Sequence, residues 1–538
     1  MFGRLICGVA ASALLASAMP GLVQAQDFSA QRLSDEIRTI SADDFQGRYP
    51  GTEGEKKTLD WLQAQYEAMG MEPGGPNGQW LQVIDLKRFT PVAGAAKASW
   101  TGADGQVHAL TPGTDITLRT VSNDGKATIT DAGLVFAGYG IHAPERGWDD
   151  YGDIDVTGKI VIVISGEPDG ELFNGPYATN YQSGAYKADE AKRRGALGVI
   201  TLVKAAAGDA AWTRMASGND RTRTQTPGAA DTEFSGAINA DTAKALGLDV
   251  EALATRTASG DFRAFAVPDV KLSLEAAETI DTLRTHNLLA KITGTKRPNE
   301  TIIYSAHWDH VGVNERAPGE DKVFNGAWDN ASGTIGVVEM ARQLKAAPAP
   351  ERTIVFAHMA AEEMGLLGAY AYVADPVYPL ATTVADINID MLPLSGPTKD
   401  VPIFGKGQNS LEDDLQALAE KEGRYVSDDG QPEQGFYYRS DHFPFVRAGV
   451  PALMPWHGVD WVNGGREAGL AAWKAKFGAD YHKASDEWSA DWDLTSAVEN
   501  LTLLYRLGLD LANGDEWPTW KPTSEFGQVR ATTDAARR

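Results

Sequence analysis

From about His286 to Gly514 the chain alternates short, almost wholly apolar runs with amphipathic ones. Thr301-Ile302-Ile303-Tyr304-Ser305-Ala306, Thr353-Ile354-Val355-Phe356-Ala357, Val384 to Ile389 and Pro451-Ala452-Leu453-Met454 read as buried strands. Ser332 to Leu344 reads as a helix with Ile335, Val338 and Leu344 on one side. Strands this apolar need cover on both faces, so the alternation predicts an α/β sheet with helices on either side. Sites in such sheets gather where the strands end.

Those strand ends are not apolar. The first runs into His307-Trp308-Asp309-His310, and a loop then carries Asn325-Gly326-Ala327-Trp328-Asp329-Asn330. The next strand ends in Glu362-Glu363 and the next in Asp390, and Ser440-Asp441-His442 and Tyr481-His482 follow. Imidazoles and carboxylates without cysteine suit zinc best, with manganese or cobalt as alternatives. If His307, Asp329, Glu363, Asp390 and His482 are the donors, three carboxylates would overload one divalent cation and nearly balance two. Five donors for two ions require one to bridge, and a loop aspartate after a glycine-containing turn suits that role. Two ions about 3.5–4 Å apart would clamp and acidify a water between them. Adjacent residues of an extended segment face opposite ways, so one of Glu362 and Glu363 is expected on a metal. The other would take the water's proton and pass it to a leaving amine.

The rest of the chain narrows the setting. The formal net charge is −24 over 538 residues. That argues against nucleic acid and against an anionic membrane surface as partners. Residues 1–25 carry one charge, Arg4, then an apolar run broken by Pro20 and ending Val23-Gln24-Ala25. This is the layout of a secretory signal peptide cleaved after Ala25, so the protein is expected to be exported, periplasmic or secreted. Cys7 is the only cysteine, and its removal with the signal excludes disulfides, thiol catalysis and cysteine-based zinc sites. Leu59, Leu62, Tyr66 and Met69 mark one face of a helix after Thr52. Leu81 to about Thr128 is strand-like, and Gly208 to Thr226 reads as a polar surface loop. The segment after Trp520 reads as a loose polar tail.

Five segments carry a specific resemblance: Ser305-Ala306-His307-Trp308-Asp309, Gly326-Ala327-Trp328-Asp329-Asn330-Ala331-Ser332-Gly333, Ala361-Glu362-Glu363-Met364-Gly365-Leu366-Leu367-Gly368, Asn388-Ile389-Asp390-Met391 and Tyr481-His482-Lys483. In this order they resemble the signature segments of the co-catalytic di-zinc exopeptidases, a family that includes aminopeptidases, glutamate carboxypeptidase and the transferrin receptor. Tyr49-Pro50-Gly51-Thr52-Glu53-Gly54 resembles the family's N-terminal motif.

The resemblance implies a mixed central sheet flanked by helices, two Zn2+ per chain and peptide substrates. His307 and Asp390 would hold one zinc, Glu363 and His482 the other, with Asp329 between them. Glu362 would be the general base and acid, and Asp309 would orient His307. Tyr437 is a candidate donor to the tetrahedral oxyanion, with Tyr481 as its competitor. The implied layout is residues 26–128 as the N-terminal part of the peptidase, 129–283 as an inserted β-rich protease-associated domain, 284–520 as the catalytic part and 521–538 as the tail.

Several readings compete. No Gly-x-Ser-x-Gly elbow and no His-Glu-x-x-His helix occurs, which disfavours a serine hydrolase and a helix-borne zinc site. A single-zinc glutaminyl cyclase shares the implied fold, but the full ligand set favours two metals and hydrolysis. An inactive binding protein would have lost ligands, and none is lost. A carboxypeptidase needs arginine or lysine at the substrate carboxylate, and only Arg439 and Arg447 lie near the substrate-side loop. An aminopeptidase holds an ammonium with carboxylates, for which Glu362, Glu363 and Asp390 are available. His310 and His457 read first as packed histidines, and His442 as a residue lining or backing the substrate pocket.

Overall fold

The computed structural model describes residues 28–175, 177–219, 221–226 and 232–537. The expected signal peptide lies outside the described residues. Two sheets are joined by one long strand, Phe265–Ile292. Its C-terminal half pairs antiparallel with Leu81–Pro91 on one side and with Arg352–Met359 on the other. Beyond Arg352–Met359 come Arg297–His307, Thr383–Asn388 and Ala452–Leu453, all parallel to one another. The result is the mixed, helix-covered sheet expected from the alternation.

Every residue of Arg352–Met359 and of Thr383–Asn388 is buried. Only helices on both faces make such strands stable. Gly333–Ala346 supplies part of that cover and is itself buried along most of its length. Two N-terminal helices add to the same core. Ala30–Ile40 buries Leu33, Ile37 and Ile40 and is capped by Ser29, whose hydroxyl accepts from Arg32 N at 3.2 Å. Glu53–Ala68 buries Leu59, Leu62 and Tyr66. Between them the chain turns through positive φ at Gln46, Gly47 and Arg48. At Gly47 a Cβ would collide with the Phe324 and Gly312 carbonyl oxygens, so the close approach of this turn to the loop at 312–326 needs glycine.

The N-terminal half of the long strand belongs to the second sheet, where it pairs with Lys126–Phe136 and Lys97–Thr101. Lys126–Phe136, Ile160–Ile164, Gly198–Leu202 and Phe234–Ile238 follow in parallel, and Ile116–Thr120 closes the edge antiparallel. Ala98, Leu110, Ile116 and Leu118 therefore pack in the second core. The change of unit falls between Pro91 and Lys97, not at the boundary of 128/129 drawn from sequence texture. The strands from 97 to 120 have the same texture as Leu81–Pro91; only partners more than a hundred residues away distinguish them.

Two further expectations are corrected. The stretch 208–226 contains a helix, Ala210–Asn219, anchored by buried Trp212, and a short strand, Arg223–Gln225, that pairs with Leu81–Pro91. The tail is docked: Phe526 and Arg530 are buried, and Arg530 donates to the carbonyls of Leu380 and Thr383. Its polar composition hid the anchors, because apart from Phe526 the contact is carried by polar side chains, among them Arg530, Arg537 on the Ala381 carbonyl and Ser524 on Gln408.

Candidate active site

The ends of the parallel strands converge. His307 closes Arg297–His307, and its Nε2 lies 3.3 Å from Asp329 Oδ1 and 3.4 Å from Asp390 Oδ1. The other Asp329 oxygen, Oδ2, is 3.1 Å from His482 Nε2, which is 2.9 Å from Glu363 Oε2. Asp329 thus turns one oxygen to each of two groupings. His310, read as a packed neighbour, stands against the second grouping, with Nδ1 2.6 Å from Glu363 Oε1. Asp390 Oδ1 is buried without a hydrogen-bond partner. A buried anionic oxygen with no hydrogen bond, and only the His307 imidazole 3.4 Å away, is under-satisfied, and a cation among these donors would satisfy it. Nitrogen and carboxylate oxygen with no sulfur is a donor set that zinc accepts. His307, Asp329 and Asp390 offer donor atoms all within 4.8 Å of one another, as do His310, Asp329 and Glu363.

The backbone under these side chains is held by Asp486 and Arg48, which sequence reasoning did not single out, and by Asn330 and Ser440, which it placed in the candidate segments without this role. Asp486 accepts from the Trp328 and Asp329 amides, each at 2.9 Å, and burial pushes its carboxyl up to about 6. Asn330 Oδ1 accepts from Gly333 N at 2.8 Å and Met391 N at 3.0 Å, tying the loop of Asp329 to the strand end of Asp390. At Gly333 a Cβ would strike the Ile389 carbonyl and Asn330 Oδ1. Ser440 donates to Asp390 Oδ2 at 2.7 Å and accepts from Asn388 Nδ2 at 2.7 Å. Fully buried Arg48 donates to the carbonyls of Trp308, Asn325 and Gly326. It sets a positive charge near the acidic cluster, though burial lowers the guanidinium to about 10. A serine beside a glycine loop or a lone arginine carries no local signal for such roles.

Two sequence expectations change. Glu362 and Glu363 are not on opposite sides of an extended segment. They stand in a turn that follows Ala361 at positive φ, and both face the cluster, Glu362 Oε2 being 3.9 Å from His307 Nε2. The Asp309 carboxylate forms that turn, accepting from the Glu362 amide at 3.0 Å and the Glu363 amide at 3.4 Å. His307 Nδ1 is met by the Asp309 carbonyl at 3.1 Å, whereas the carboxylate is 3.9 Å away. Asp309 orients His307 through its main chain and the glutamates through its side chain.

Electrostatics follow from this packing. Burial drives Glu362 well above the usual carboxylate range, opposed by His307. Burial drives Asp309 up to about 7. Burial disfavours His482 in its charged form, but the carboxylates of Asp329 and Glu363 outweigh it and raise the imidazole to about 10.

Tyr437 is not brought to the cluster. Its ring lies against His442 at 5.1 Å and Tyr438 at 5.2 Å, and its charged neighbours are Glu525 and Glu412. Tyr481 is at the cluster. Its ring stacks on His482 at 3.8 Å, and burial together with Asp329, Glu362 and Glu363 raises its phenol. His442 is buried and lowered to about 3 by desolvation. His457 is equally buried and packs between Trp328 and Trp456.

Residues 287–505 match the family model described as Peptidase family M28. A probable lipoprotein aminopeptidase, LpqL, of Mycobacterium tuberculosis is 26% identical over 249 residues, 44% of this chain and 48% of the relative. Aminopeptidase YwaD of Bacillus subtilis is 33% identical over 175 residues, 31% of this chain and 35% of the relative. The chain thus spans less than half the length of these curated relatives. A solved aminopeptidase from Aneurinibacillus sp. strain AM-1 aligns over 91% of this chain and 96% of its own, at 19% identity and a TM-score of 0.48.

Proposed function

We propose, from the match of residues 287–505 to the Peptidase family M28 model, that this protein is an exported zinc-dependent aminopeptidase that removes N-terminal residues from peptides. The observation that carries this reading is Asp329, with one oxygen toward His307 and the other toward His482. His307 and Asp390 would hold one zinc ion, Glu363 and His482 a second, and Asp329 would bridge them. The ions would supply Lewis acidity and an acidified water.

The chain's own residues do the rest. Glu362, buried with its Oε2 3.9 Å from His307 Nε2, takes the proton of the attacking water and returns it to the leaving amine. Tyr481, not Tyr437, donates to the developing oxyanion. Glu362 and Asp390 offer carboxylates to the substrate's ammonium group. The second unit is read as a protease-associated insertion. Among the described residues no helix is long and apolar enough to cross a membrane.

The test is the Glu362→Gln chain. It should retain about two zinc ions by elemental analysis while hydrolysis of leucine p-nitroanilide falls about 10²–10⁴-fold. Chelation of the parent enzyme should abolish turnover, and zinc should restore it. Release of C-terminal residues from peptides with blocked N-termini would turn the assignment to a carboxypeptidase.

A further inference from the structure

Two arginines lie on or beside the loop that holds Asp390, and the structure treats them differently. Arg447 is spoken for: its guanidinium pairs with Asp189 at 2.7 Å and donates to the Tyr370 hydroxyl at 3.3 Å. Arg439, the residue before Ser440, has no carboxylate partner among the described residues. Its side chain is exposed, lies over the Phe436 ring at 5.0 Å, and donates to the Tyr481 hydroxyl at 3.4 Å. Tyr481 in turn stacks on His482 and feels Asp329, Glu362 and Glu363. An unpaired cation therefore stands at the mouth of a strongly acidic cluster, in a chain of net charge −24.

An exposed guanidinium stacked on an aromatic face keeps its outer N–H groups free, and its fork matches a carboxylate. We propose that Arg439 is a specificity-determining residue that binds a carboxylate on the leaving residue of the substrate. This rests on the aminopeptidase reading and sharpens it. The scissile carbonyl would lie by Tyr481, with the ammonium on the acidic side of the cluster. The leaving residue would extend past Tyr481 toward Arg439. The main-chain carboxylate of a dipeptide is three bonds from the scissile nitrogen, within this reach, and an acidic side chain on the same residue is the other source of the same chemistry. The enzyme then prefers very short peptides or those with Asp or Glu in second position.

The experiment uses the zinc-loaded Glu362→Gln chain and titration calorimetry, so that binding is read without turnover. Leu-Gly is compared with Leu-Gly amide, and Leu-Asp amide with Leu-Asn amide. One member of at least one pair, the one bearing the carboxylate, should bind about tenfold more tightly. Adding Arg439→Gln should bring that ratio to about one, Arg439→Lys should keep part of it, and raising the salt concentration should shrink it. A gap in the first pair identifies the main-chain carboxylate, and a gap in the second identifies the acidic side chain. Ratios near one in the parent, or ratios that survive Arg439→Gln in a chain with an unchanged melting curve, overturn the proposal. Acetyl-Leu-Gly bound as tightly as Leu-Gly, with the Arg439-dependent gap intact, would refute the free-amine reading and leave the Arg439 contact standing. No binding of any dipeptide overturns both.

Discussion

The molecule contains two sets of buried parallel strands built on the same physics, and among the described residues one set ends in clustered histidines and carboxylates while the other ends in turns and caps. In the first sheet, Arg297–His307, Arg352–Met359 and Thr383–Asn388 run out into His307, Glu362-Glu363 and Asp390. In the second, Ile160–Ile164, buried at every position, runs into Ser165-Gly166, and Phe234–Ile238 runs into Asn239, whose side chain accepts from Thr242 N to cap a short helix. Both arrangements place side chains at strand ends. The first spends those positions on donors that face one another; the second spends them on turns and caps. Topology alone therefore says little about activity, and the residues at the ends say most of it.

This contrast can be broken by experiment. Ile162 is fully buried at the centre of the second sheet. Ile162→Ala should cost about 2–5 kcal/mol of stability, read by chemical denaturation, with zinc content per folded chain unchanged. Loss of metal from the still-folded variant would show that the second unit is part of the site. Ser440→Ala removes the hydroxyl that donates to Asp390. Zinc affinity, measured by competition with a chelator, should fall about 10–100-fold, with little change in melting temperature of the zinc-free chain. A stability loss at unchanged affinity would demote Ser440 to packing. The smallest effect is expected at the seam. Asp189→Asn cuts the ion pair with Arg447 that joins the two units. Both side chains are about a third exposed, so the loss should be under about 1 kcal/mol and should vanish at high salt. A larger loss would mean that the units depend on each other for folding.

The parts of the site legible in the sequence were those written locally. His307, Asp329, Glu363, Asp390 and His482 each follow a recognisable strand or turn, and their order along the chain matched a family pattern. His310 was underrated because a histidine three residues after a donor carries no sign of which way it points. Tyr437 is near Ser440 in sequence but packs away from the cluster, whereas Tyr481 stacks on His482; nearness along the chain does not tell which ring reaches the strand ends. The division into units was misplaced by about thirty residues, since strand texture does not reveal the partner.

By itself, then, the sequence determined the strand-and-helix alternation and the donor types available at the strand ends. Apolar periodicity and residue type are local properties, and they survive in one dimension. Only the tertiary structure decided that Asp329 divides its oxygens between two groupings, that Asp309 forms the Glu362-Glu363 turn, and that Arg48, Asp486 and Ser440 hold the frame. Each of these contacts joins residues far apart in the chain or depends on which way a turn points. They are selected by the demand that buried polar groups find partners, and that demand is met only once the chain is packed.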